Sequence, residues 1–199
     1  MSDALEALDV ILEELAALRS SLDAESFERA AGIIQDAEAK GGRVHVTGIG
    51  KSEHVARYAA ALLASTGTPA SFLAGVEAGH GSAGQVVRGD VVIAISNSGE
   101  TDELRVALHA IRELGARVIA VSGKPDSWLA QNSEAFLSAA VNREGGGLGL
   151  APRASAAAQT VVLAALSATL EATKGFTRSD FHARHPAGSL GRKTAPDDD

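Results

Sequence analysis

The sequence predicts an α/β fold, a three-layer αβα sandwich in which a five-stranded parallel sheet lies between two layers of helices. Three observations lead there. Short β-branched runs alternate along the chain with helical stretches. Glycine, 21 of 199 residues, is abundant where those runs hand over to helices, while aromatics are only 4%. The run from Asp90 to Ile95 is apolar after its first residue, as expected of a central strand covered on both faces.

Taken in order, residues 4 to 22 place Leu5, Leu8, Leu12, Leu15, Leu18 and Leu22 three and four apart, which makes an amphipathic helix. A second helix, Ala24 to Lys40, is stopped by Gly41-Gly42. Arg43 to Thr47 is the first strand, and Gly48-Ile49-Gly50 turns it into a helix from Ser52 to Leu63. Ala70 to Leu73 is a weaker second strand, and Asp90 to Ile95 the third. A helix from Asp102 to Leu114 ends at Gly115, and strands Arg117 to Val121 and Ala135 to Ala139 follow. A long Ala-rich helix runs from Ala154 to Thr173, with Gly175 just past its end. Residues 1 to 193 read as one domain, with a disordered tail from 194 to 199.

Composition excludes several classes. Cysteine is absent, which removes disulfides, thiolate metal sites and cysteine nucleophiles. A net charge of −7 disfavours a dedicated nucleic-acid or anionic-membrane binder. No uninterrupted run reaches the roughly 18 apolar residues of a membrane span. The acidic, helical N-terminus is unlike a targeting peptide, so a cytoplasmic location is expected.

In a parallel sheet, ligands bind beyond the carboxyl ends of the strands. The first strand ends in Thr47-Gly48-Ile49-Gly50-Lys51-Ser52. This is neither a Walker A loop, whose first glycine would fall at His45, nor a dinucleotide fingerprint, whose third glycine is replaced by Glu53. By itself it serves equally as a tight turn or as a seat for a phosphate or sugar. The third strand ends in Ser96-Asn97-Ser98-Gly99-Glu100-Thr101, a set of hydroxyl and amide groups before a helix start, suited to a phosphate monoester. Groups able to move protons lie nearby in sequence. Glu103 is in the first turn of the next helix, and His80 stands between two glycines, a poor place for a core histidine. His182 and His185 are three apart, but no carboxylate motif accompanies them and no metal is expected. His45, within a strand, and His109, within a helix, read as structural.

Six segments in order, GIGKSEH, LASTGTPASFL, EAGHG, VVIAISNSGETDE, LGLAP and HPAGSLGRK, resemble the SIS-domain sugar isomerases, most closely the arabinose 5-phosphate isomerase group. The resemblance covers roughly residues 40 to 193 and implies the SIS fold, which is flavodoxin-like. It also implies interconversion of D-arabinose 5-phosphate and D-ribulose 5-phosphate with no cofactor. Lys51, His80, Glu103 and His185 match the family's active-site residues. Ser96, Asn97, Ser98 and Thr101 match its phosphate loop, with Gly50 and Ser52 beside it. Three features depart from the family pattern. Ser82 stands where an Asp is usual, and Arg153-Ala154-Ser155-Ala156-Ala157-Ala158 replaces a hydroxyl-rich run. The paired C-terminal CBS modules of many members have no counterpart in these 199 residues, so no nucleotide sensing is expected.

The expected reaction passes through an enediol(ate), with the Ser96–Thr101 loop clamping phosphate and Glu103 as base. Lys51, His80 and His185 polarise oxygens or shuttle protons, their individual roles left open. Two rivals stand beside this reading. One is a non-catalytic phosphosugar-binding module; the other is an isomerase of a larger phosphosugar, in which Arg153 contacts an additional acidic group. The leucine stripe and the resemblance imply a homotetramer, a dimer of dimers in which His185 completes the site of an adjacent protomer.

Overall fold

The computed structural model describes residues 3–187, and the tail expected from 194 to 199 lies outside them. Five parallel strands form one sheet: β1 (Val44–Gly48), β2 (Ala70–Phe72), β3 (Val91–Ile95), β4 (Arg117–Ser122) and β5 (Ala135–Ser138). Their order is β2-β1-β3-β4-β5. From β1 the chain steps outward to β2, then returns past β1 to lay β3 on its other side. The strand order therefore reverses between β1 and β3, and a crevice opens beyond their carboxyl ends. Register pairs Gly48 with Ile95, so both strands end at the same level.

Alternate side chains of these strands feed two cores. Val91, Ile93 and Ile95 face one side, with α1 (Asp3–Ser21), α2 (Ala24–Glu38), α3 (Lys51–Ser65) and α7 (Ala154–Lys174). Val92 and Ala94 face the other, beneath α4 (Gly75–Ala78) and α5 (Asp102–Glu113), with α6 (Trp128–Gln131) alongside. The fully buried β3 is thus apolar on both faces because helices cover both.

The short α4 and α6, a 3-10 turn at Ser82–Gln85 and the helix α8 (Arg178–Arg184) go beyond the sequence reading. The signal for α8 is present in the chain. Thr177 accepts from the Asp180 N–H, while Asp180 accepts from the Thr177 N–H, a reciprocal capping box.

By length and composition, α7 is apolar enough to cross a membrane, with mean hydropathy 1.2 over its most apolar window. Counting uninterrupted apolar residues overlooks it, because serine, glutamine and threonine punctuate it. In the structure it packs against α1, α2 and α3 as a core helix. Two polar pairs fix its register on α3: Ser52 Oγ donates to Gln159 Oε1 at 3.1 Å, and the Thr66 and Ser167 hydroxyls meet at 2.8 Å.

The leucine stripe of α1 is divided. Leu18 is buried and Leu15 packs beside it, whereas Leu5, Leu8 and Leu12 are each about half exposed. At the amino ends of β1 and β3, buried Asp90 accepts from the backbone N–H groups of Arg43 and Val87 at 2.9 and 2.8 Å. It also meets His45 Nε2 at 3.1 Å, which accounts for a histidine inside a strand.

Candidate active site

A cleft of about 300 Å³ lies at the point where the strand order reverses. Lys51 and Ser52, opening α3, form one side. Ser96, Asn97, Ser98 and Thr101, after β3, form the second. Pro152, just before α7, and Ser155, Ala156 and Gln159 in its first two turns close the third. Helices α3, α5 and α7 all begin around this space; the positive ends of α3 and α5 favour an anion there, while the first N–H groups of α7 are taken by the Glu144 carboxylate.

Local chemistry explains why the loops hold these shapes. Gly50 caps α3 at φ +65°, a conformation that side chains with a Cβ rarely adopt. Gly99 is at φ +69°, and a Cβ there would fall on the Ser127 side chain. The serine loop is wired internally. Ser96 Oγ accepts from the Gly99 N–H at 3.1 Å and lies 3.0 Å from Thr101 Oγ1. Ser98 Oγ accepts from the Glu100 N–H at 3.2 Å, leaving its own proton available. Lys51 is exposed and forms no ion pair among the described residues.

The proton-moving candidates are dispersed. Glu103 is exposed on the first turn of α5, and His80 is exposed in the turn after α4; neither lines the cleft. Arg153 also stands outside the lining. Its backbone N–H donates to Glu144 at 2.8 Å and its guanidinium to the Gly145 carbonyl at 3.2 Å, holding the side chain against the 144–146 loop. His185 caps α8, stacks on Phe181 at 3.9 Å and bonds the Phe181 carbonyl through Nδ1 at 2.8 Å. Its neighbour Arg184 lines a hollow with Arg43, Pro69 and Ala70, at the amino ends of β1 and β2. His185 is therefore at the opposite end of the sheet from the cleft of its own chain.

Sequence reading picked Arg153 from this segment and gave no site role to Ser155, Ala156 or Gln159, nor to Glu144, whose carboxylate accepts from the backbone N–H groups of Arg153 and Ser155 and caps α7 beside the cleft. Among the described residues, no group of three or more metal-ligating side chains is placed to hold a metal.

A cleft of this build, at the reversal point of a parallel sheet and ringed by hydroxyls and helix starts, defines an α/β protein with a site for a small anionic ligand. Residues 38–168 match the SIS domain, and the chain belongs to that family. It is 42% identical over 193 residues to the arabinose 5-phosphate isomerase KdsD of Francisella tularensis, covering 97% of this chain and 59% of the relative. With KdsD of Pseudomonas aeruginosa it shares 46% over 152 residues, 76% of this chain and 47% of the relative. The chain thus spans about half the length of the curated relatives it matches. A protein of Escherichia coli, solved in complex with arabinose 5-phosphate, superposes with a TM-score of 0.85 at 36% identity, covering 92% of this chain and 95% of the other.

Proposed function

We propose that this chain is an aldose–ketose isomerase that interconverts D-arabinose 5-phosphate and D-ribulose 5-phosphate. The observation that carries the reading is the cleft itself: a hydroxyl-rich loop after β3 facing the Lys51-bearing start of α3, with helix N-termini around both. This is a seat for a phosphorylated, polyhydroxylated ligand. The names of the relatives point to the same sugar.

In this reading the loop Ser96, Asn97, Ser98 and Thr101 holds the phosphate, with Gly50 and Ser52 on the facing side. Glu103 takes the proton from C2 of the aldose as the carbonyl oxygen at C1 gains one, giving the enediol. Returning the carbon proton to C1 while O2 loses its own yields the ketose, so the reaction is redox-neutral overall and needs no cofactor. Lys51 and His80 polarise the oxygens or open the sugar ring, and His185 carries a hydroxyl proton.

His185 does so from another protomer. Helix α7 begins at the cleft and its 21 residues rise about 30 Å to the other end of the sheet, where α8 leaves His185. That separation supports a site shared between chains. The exposed Leu5, Leu8 and Leu12 supply an apolar face for assembly, which we take to be a homotetramer. A cytoplasmic location completes the reading, since a charged sugar phosphate does not cross a bilayer unaided.

A second reading has one observation in its favour. The binding side chains line one cleft while Glu103 and His80 stand outside it, as in a module that binds a phosphosugar without converting it. The larger-sugar reading has none, because Arg153 is engaged by the 144–146 loop. An NMR isomerisation assay over pentose, hexose and heptose phosphates decides. Turnover of arabinose 5-phosphate supports the proposal; binding without turnover of any sugar supports the non-catalytic module.

A further inference from the structure

The α7 wall carries polar groups that the scheme above leaves unused. Ser155 lines the cleft and is fully buried, yet its Oγ meets no donor or acceptor among the described residues. A buried hydroxyl without a partner is destabilising, and such groups persist where a ligand uses them. One turn further along α7, Gln159 is 2% exposed and lines the same cleft. Its Oε1 is occupied by the Ser52 hydroxyl, which orients the amide, and its Nε2 has no partner among the described residues. Residues four apart share a helix face, so a hydroxyl and an amide stand together with unused hydrogen-bonding capacity.

We infer that Ser155 and Gln159 bind the sugar hydroxyls of the substrate, opposite the loop that holds its phosphate. Two points favour the polyol end. A serine hydroxyl both gives and accepts, matching a sugar hydroxyl, whereas a phosphate dianion only accepts. The backbone N–H groups of Arg153 and Ser155, which would draw a phosphate towards α7, are already taken by Glu144. Rotation about χ1 moves the Ser155 hydroxyl among staggered positions without moving the backbone, which is the freedom the inferred contact requires.

This inference rests on the isomerase reading, and its test separates the two. Binding of arabinose 5-phosphate and of methyl phosphate, which lacks the polyol, is measured by calorimetry for the parent chain, Ser155→Ala and Gln159→Leu. Ser155→Ala should melt at or above the parent temperature, because it removes an unsatisfied buried group. It should also bind arabinose 5-phosphate about five- to tenfold more weakly, the loss of one or two neutral hydrogen bonds, with methyl phosphate unchanged. Gln159→Leu should show the same selectivity. Unchanged affinity for arabinose 5-phosphate in a folded Ser155→Ala variant overturns the inference, and an equal loss for both ligands overturns its assignment to the sugar end. If the parent chain neither binds nor converts arabinose 5-phosphate, the isomerase reading fails and takes this inference with it.

Discussion

Complementation between two inactive variants tests the shared site most directly. Glu103→Gln removes the proposed base, and His185→Ala removes a group at the other end of the sheet, separated from the cleft by the length of α7. Each should lower kcat by about 10²-fold or more as a homo-oligomer, the usual worth of a positioned acid or base. The two are unfolded, mixed in equal amounts and refolded together. Each site then draws its Glu103 from one chain and its His185 from another at random. Half of the sites have an intact Glu103, and half of those meet an intact His185, so roughly a quarter of parent activity returns. Ketose formation against time reads the recovery, and circular dichroism checks that each variant alone is folded. A site built within one chain recovers nothing, because every chain carries a lesion. Activity at the level of the separate variants therefore refutes the shared site.

Further outcomes are expected. Ser98→Ala should raise KM by about tenfold or more with little change in kcat, since a hydrogen bond to a charged phosphate is worth about 1.5–3 kcal/mol; Glu103→Gln should do the reverse, and near-normal turnover in that variant would remove Glu103 as the base. Light scattering should find an assembly larger than a monomer at micromolar concentration, and Leu5→Lys with Leu8→Lys should shrink it; a monomeric parent chain would leave the exposed α1 face unexplained. Asp90→Ala should cost about 3–6 kcal/mol in urea unfolding, because the Arg43 and Val87 N–H groups and His45 all lose a buried acceptor. Burial alone would raise the Asp90 carboxyl, but the N–H groups of Val87 and Arg43 and the His45 ring hold it below its ordinary value of 3.8. The stability it contributes is complete above that value and is lost as pH falls through the lower folded one. Asp90→Asn should therefore flatten the acid limb of stability, and superimposable acid limbs would refute this.

What the chain determines locally was legible in its sequence. The apolar residues of β3 require cover on both faces, and two helical layers provide it. Gly50 and Gly99 mark the turns where backbone must approach closely, and the hydroxyls after β3 are adjacent along the chain, so their convergence needs no tertiary information. Ser155 and Gln159 were not legible, because a serine and a glutamine in an Ala-rich helix look like interruptions of a core face. Only the packing of α7 against α3 turns them towards the cleft. Glu144 was missed for the same reason, since it reaches residues nine and eleven positions ahead through a glycine-rich loop whose path no periodicity encodes. The leucine stripe on α1 was readable as one face, but its division into buried and exposed halves depends on where α7 passes beneath it. His185 divides between the two. The resemblance assigned it to the site of an adjacent protomer, while its place at the far end of the sheet is set by the course of α7. Periodicity and turn chemistry act over a few residues and are written in order, whereas the meeting of distant segments is decided by packing, which no single stretch of sequence contains.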